Sequence, residues 1–400
     1  MHWHATRRTP KAGVGITCAV IAGLLFSALA PMAMSAPRDQ AKRIHDRLVG
    51  TPPSDATLNL MALEIANTSD TAGALRAANI AIDRNRVESS PFYNVTLKNF
   101  ATPWTNRDQT VFAPLNDYTA TVIGMVRDEL PFNTVLSDDI LYTASSGPAY
   151  SPANNDHYQS LEDNHVDLRS ALVRTTQSSL NGLPPAATAG VITSRAASQA
   201  FFILGTNRAM FRFTMMNHMC RDLEQVHDTS RPPDRIRQDV TRSPGGDSRL
   251  FLNNCVGCHS GMDPMAQAFA YYNFDETSGR LVYTPGQVQP KYLINSDNFK
   301  TGYVTPDDRW NNYWRAGQNT LLGWAPGGGS GNGAKSLGQE LANSEAFAQC
   351  QVEKVFRNVC FRSPSDAPDR SEVNRIVGVF KSGYNLKQVF AETAVYCRGD

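Results

Sequence analysis

The chain lacks an excess of either charge: 38 Lys and Arg stand against 37 Asp and Glu, a formal +1 over 400 residues. A nucleic-acid or anionic-membrane partner would call for a strong basic surplus, so neither is expected. Cysteine is scarce, with seven in all, and no second closely spaced pair accompanies Cys255 and Cys258. That excludes the usual structural zinc frameworks, which need two further ligands. No His-Glu-x-x-His pattern, no internal repeat and few alternating apolar and polar runs occur. A metalloprotease centre, a repeat array and a sheet-based domain are excluded with them.

Long apolar runs are also missing, apart from Val14 to Ala30. Arg7, Arg8 and Lys11 precede that run, and Ala33, Ser35 and Ala36 follow it, the layout of a secretory signal ending near residue 36. Its 17 residues are short for a spanning helix and no stop-transfer pattern follows, so cleavage is expected and an uncleaved anchor is the alternative. Arg7-Arg8 hints at export of a folded protein, although Pro10 and the absence of a bulky apolar residue speak against it. Cys18 lies inside the run, which argues against a lipid anchor. Losing residues 1–36 removes three basic side chains and no acidic one, leaving 35 against 37 and a charge of about −2. A periplasmic or secreted protein is expected.

The stretch NNCVGCHSGMDP, residues 253–264, carries the chemistry. In a chain with this few cysteines a chance Cys-x-x-Cys-His is expected in about one case in several hundred. A thioredoxin-like dithiol would sit between a strand and a helix in an alternating pattern, which the flanks do not show. A helix starting at Ser248 and capped by Asp247 brings Phe251 one turn before Cys255. Cys255 and Cys258 are then placed to hold one haem c through two thioethers, His259 to ligate its iron on the proximal side, and Phe251 to pack on the porphyrin edge. Exported, the chain keeps Cys220, Cys350, Cys360 and Cys397 in an oxidising compartment, an even number with three possible pairings, Cys360 with Cys397 among them.

The run LFLNNCVGCHSGMDPMAQAFAYYNFDETSGR, residues 250–280, resembles the cytochrome-type segment of planctomycete-type cytochrome c-like proteins, where Cys-x-x-Cys-His precedes Met-Asp-Pro and later Phe-Asp and Gly-Arg. AGVITSRAASQAFF, residues 189–202, resembles the segment upstream of their haem motif. LGQELANSEAFAQCQVEKVF, residues 337–356, and FKSGYNLKQVFAETAVYC, residues 380–397, resemble their C-terminal helical segment. The resemblance implies an exported mono-haem c-type cytochrome and supplies no substrate, because these family members are domains of unknown function.

A sixth iron ligand is not obvious, since no Met or His follows Met265. Met262 stands one helical turn from His259, on the proximal side, and Met-Asp-Pro reads as structural, with Pro264 opening a new helix. Upstream, RAMFRFTMMNHMC, residues 208–220, reads as a helix with Phe211, Met215 and His218 on one face and Met216 and Met219 beside it. That stripe is either plain core or the source of a distal ligand, His218 or a neighbouring Met; Met265, a Lys, a Tyr or water complete the choices. His45, His157, His165 and His227 stand singly among polar residues and read as surface.

The rest organises the chain. Helices are expected over 54–67, 71–83 and 116–129, and three more over 336–397, with Ser371 capping the second. Residues 89–110 and 142–158, rich in Pro, Ser, Asn and aromatics, read as long irregular stretches. GGGSGNGAKS, residues 327–336, is not a phosphate loop, because Ala334 separates Gly333 from Lys335 and no strand precedes it; it reads as a flexible connector near the haem edge. Gly-Asp-Ser-Arg at 246–249 is explained by helix capping rather than as a nucleophile elbow. Arg221 to Arg249 alternates in sign and reads as solvated surface. The expectation is a mainly α, loop-rich protein with an embedded cytochrome c-like haem segment: signal 1–36, N-terminal helical and loop region 37–181, haem-binding region 182–335, C-terminal helices 336–400. Two functions follow from it, a periplasmic single-electron carrier with redox protein partners or a peroxidase- or oxygenase-like haem enzyme with an open sixth position; a binding module with structural haem is a third.

Overall fold

Capping side chains and left-handed residues delimit the helices. Pro37 opens α1 (Pro37–Val49), and Gly50, at φ 76°, closes it. The Ser54 side chain accepts from Thr57 N–H at the start of α2 (Asp55–Asn67), followed by α3 (Thr71–Ala81). The computed structural model describes residues 36–68, 71–236, 248–293 and 302–399. The apolar run Val14 to Ala30 lies outside them, and none of the described helices is long and apolar enough to cross a membrane.

The protein is mainly helical. After α3 come α4 (Leu97–Ala101), α5 (Asp117–Arg127), α6 (Asp156–Asp163), α7 (Leu168–Ala171), α8 (Gln177–Asn181), α9 (Arg195–Phe201) and α10 (Arg208–Met219). The Cys-x-x-Cys-His motif is carried by α11 (Ser248–Asn254) and α12 (Val256–Ala266); α13 (Gly333–Ala342), α14 (Glu345–Cys360), α15 (Ala367–Lys381) and α16 (Leu386–Tyr396) end the chain. Among the described residues three two-stranded antiparallel pairs interrupt them: β1 (Leu141–Ala144) with β2 (Leu172–Thr175), β3 (Tyr272–Asp275) with β4 (Arg280–Tyr283), and β5 (Arg309–Asn311) with β6 (Ser330–Asn332). Their registers pair Tyr142 with Arg174, Phe274 with Leu281 and Trp310 with Gly331.

Helix α5 is buried along its whole length, so it runs through the core rather than along the surface. Asn116 caps it through Thr119 N–H, and the neighbouring Asp117, wholly buried, accepts from the first two N–H groups of α9, those of Arg195 and Ala196, at 2.6 and 3.0 Å. Phe390 of α16 meets Phe92 and Phe100 edge-on at 5.3 and 5.2 Å, tying the C-terminal helices to the N-terminal region.

Four expectations are corrected. Residues 89–110 are mostly helical: a π-helical turn at Phe92–Thr96, α4, and a 3₁₀ turn at Thr102–Thr105 bury Phe92, Tyr93, Leu97, Phe100 and Trp104. The C-terminal region holds four helices, and Asp366, not Ser371, caps α15 through Asp369 N–H. The glycine-rich segment is ordered as β6 and the start of α13, with Glu340 accepting from Gly329 N–H and from Arg315. His45 and His157 are buried, not surface: His157 accepts from Ala144 N–H at 3.1 Å and its other ring nitrogen bonds the Pro148 carbonyl at 2.6 Å, which orders the loop between.

The disulfides join Cys360 to Cys397, as one of the three pairings foresaw, and Cys220 to Cys350, with Cα atoms 5.6 and 5.3 Å apart. Cys255 and Cys258 are free and half-buried.

Candidate functional site

Helices α11 and α12 are nearly continuous. Cys255 N–H bonds Phe251 carbonyl at 2.9 Å, and His259 N–H bonds Cys255 carbonyl at 3.2 Å. At 3.6 residues per turn, Cys255, Cys258, His259 and Met262 fall on one stripe of about 100°, with Gly257 and Gly261 opposite. The opposite face is tightly covered. A Cβ on Gly257 would run into the His227 imidazole, and one on Gly261 into the Trp314 indole. Asp228 N–H bonds Gly257 carbonyl at 2.9 Å, and Ser260 hydroxyl bonds Asp228 carbonyl at 3.0 Å, stitching the 227–228 segment to that side. His227 is thus exposed, as expected, yet it touches the motif from the side away from the two thiols.

On the thiol face, Cys258 Sγ lies 3.5 Å from the Leu223 carbonyl. Burial pushes the Cys258 thiol above its ordinary value, and the nearby carboxylate of Glu224 adds to the effect. Phe251 is buried with Ile236 in a small apolar cluster against Cys255 and Val256. Its ring meets the His259 ring edge-on at 5.0 Å, so it packs on the imidazole.

His259 is held from below as well. Its Nδ1 lies 3.1 Å from both carboxylate oxygens of Asp263, one turn further along α12. Arg208 on α10 grips the same carboxylate with two prongs, Nε at 2.8 Å and Nη2 at 3.0 Å. Asp263 is fully buried, whereas His259 and Arg208 each keep a fifth of their side chains exposed. A carboxylate gripped by a guanidinium is an acceptor only, so His259 donates to it from Nδ1 and its Nε2 takes no part in that bond. Sequence reading passed over Asp263 and Arg208. The first was visible as a His and an Asp four apart on one helix; the second, 55 residues upstream, carried no signal. Pro264 lies in the last turn of α12 instead of opening a new helix, where its missing N–H costs a single bond.

The upstream candidate lies elsewhere. His218 is buried with Nε2 2.6 Å from the Tyr118 hydroxyl, stacked on Phe347 and edge-on to Trp104. Burial pushes its pKa well below the ordinary histidine range, with Lys354 adding to the effect. The structure therefore brings together Phe251, Cys255, Cys258 and His259, and places His218 in a separate aromatic nest. Met215 and Met219 are buried in the main core, as are Met262 and Met265, which fits the plain-core reading of that stripe.

Among the described residues no three His, Cys, Asp or Glu side chains are grouped to hold a metal ion by themselves. No family model, no curated protein and no solved structure matches the chain.

Proposed function

We propose that the chain is an exported mono-haem c-type cytochrome of the planctomycete-type cytochrome c-like family, carrying single electrons in the periplasm between redox protein partners. One observation carries the reading: two free thiols and an imidazole anchored through Nδ1 share one helix face, while the other four described cysteines are consumed in disulfides. These residues fit haem c. Cys255 and Cys258 would hold it by thioethers and His259 would ligate its iron. When bound, the group supplies reversible one-electron exchange. The chain's own part is to fix the imidazole with Asp263 and Phe251, and to keep the opposite face of α12 closed with His227 and Trp314.

A second reading, a peroxidase- or oxygenase-like haem enzyme with an open or weakly held sixth position, is favoured by one feature. No Met or His follows Met265, and the Nε2 of His218 is engaged by Tyr118. Mass spectrometry and absorption spectra of the exported protein test both readings. A chain of bare polypeptide mass with no Soret band after denaturation overturns the haem reading. A low-spin spectrum unchanged by carbon monoxide supports the carrier, and a high-spin spectrum that changes with it supports the enzyme.

A further inference from the structure

We infer that Asp263, clamped by Arg208, is a positioning residue that sets the donor strength of His259 and holds the bound iron toward its ferric state. The inference rests on the haem reading above and deepens it by assigning a control of potential to this chain's own residues.

The geometry is specific. Asp263 is wholly buried, four residues from His259 on the same helix, with both oxygens 3.1 Å from Nδ1. A buried carboxylate is costly unless paired. Here the bidentate guanidinium of Arg208, reaching from α10, offsets that cost and fixes the plane of the carboxylate. Phe251, edge-on at 5.0 Å, restricts the ring from another side. An imidazole whose Nδ1–H donates to a carboxylate is a more basic ligand through Nε2 than one donating to a neutral group. A more basic, more anionic ligand favours the higher-charged metal ion, so the ferric form gains and the reduction potential falls. Arg208 moderates the effect, because it shares the carboxylate's charge. The Cys220–Cys350 disulfide lies at the other end of α10 and ties that helix to α14, which keeps the guanidinium in register.

The test is spectroelectrochemistry on the haem-loaded, exported protein and its variants. Asp263→Asn preserves shape and removes the charge; its ferric-to-ferrous equilibrium is expected to move at least tenfold toward ferrous, about 59 mV for one electron, with the ligation spectrum retained. Asp263→Glu restores a carboxylate and is expected to recover most of the shift. Should Asp263→Asn fail to fold with Arg208 left facing an amide, the double variant Asp263→Asn/Arg208→Gln neutralises the guanidinium as well and must still show the rise. A haem-loaded Asn variant with the parental potential overturns the inference and leaves the haem reading standing, as does a Glu variant shifted as far as the Asn variant. A parental protein with no thioether-bound haem overturns the haem reading itself.

Discussion

The indole of Trp314 occupies the space that a side chain on Gly261 would need. Trp314 is wholly buried, so it has no room to retreat. Its neighbour in the same role, His227 over Gly257, is exposed, and only the far end of its ring obstructs. The two glycines look equivalent in sequence and differ in consequence. Gly261→Ala is expected to cost about 1–3 kcal/mol as overpacking, read from urea midpoints. Gly257→Ala is expected to cost less than about 1 kcal/mol, because His227 can swing into solvent. Equal costs would show that the back face of α12 is not packed as described.

The two disulfides close loops of different length, 130 residues for Cys220–Cys350 and 37 for Cys360–Cys397. Removing the first with Cys220→Ala/Cys350→Ala is expected to cost about 2–5 kcal/mol, and removing the second somewhat less, since closure entropy grows with loop length. Peptide mapping of protein made without haem should find alkylation, among the six described cysteines, confined to Cys255 and Cys258. Labelling at Cys350 or Cys397 would refute the pairing.

Glu340 replaces the flexible connector expected at 327–336 with a fixed corner. It is almost buried and accepts from Arg315 through both oxygens at 2.7 and 2.8 Å, from Asn312 at 2.8 Å and from Gly329 N–H at 3.2 Å. Glu340→Ala strands a partly buried guanidinium and is expected to cost about 3–5 kcal/mol. Limited proteolysis with a protease of broad specificity is then expected to cut within 327–332 in the variant and not in the parent protein. A surface pair would give less than about 1 kcal/mol and no new cut.

The legible parts of this molecule are those where local pattern and burial agree. Leu58 and Met61 face inward at helical spacing in α2, and the expected start at 54 falls one residue early because Ser54 caps the helix. The motif face of α12 was legible too, because Cys255, Cys258 and His259 are placed by helical geometry alone. Residues 89–110 were not. Pro91, Pro103 and several Asn and Thr lower local helix propensity, while the burial of Phe92, Phe100 and Trp104 supplies the stabilisation from outside the segment. His157 and Arg208 fail for a related reason: each is defined by a partner, Pro148 or Asp263, that only the folded chain brings close.

His218 separates core from ligand most directly. Its ring is sealed among Tyr118, Phe347 and Trp104, and it favours the neutral form in the fold while the unfolded chain takes up a proton near the ordinary value of 6.5. The unfolded state then binds more protons below that pH, so stability is full above about 6.5 and falls as the pH is lowered toward the depressed folded value. His218→Gln keeps a partner for the Tyr118 hydroxyl and cannot take up that proton. The variant is expected to lose about 1 kcal/mol at neutral pH from poorer packing and hydrogen bonding, and to show a flatter decline below pH 6.5 in urea midpoints; His45, also shifted down by burial, continues to contribute there. On the proposed haem reading, its absorption spectrum is expected to match the parent's. A change of spin state in His218→Gln would place that imidazole on the iron and contradict the packing of α10.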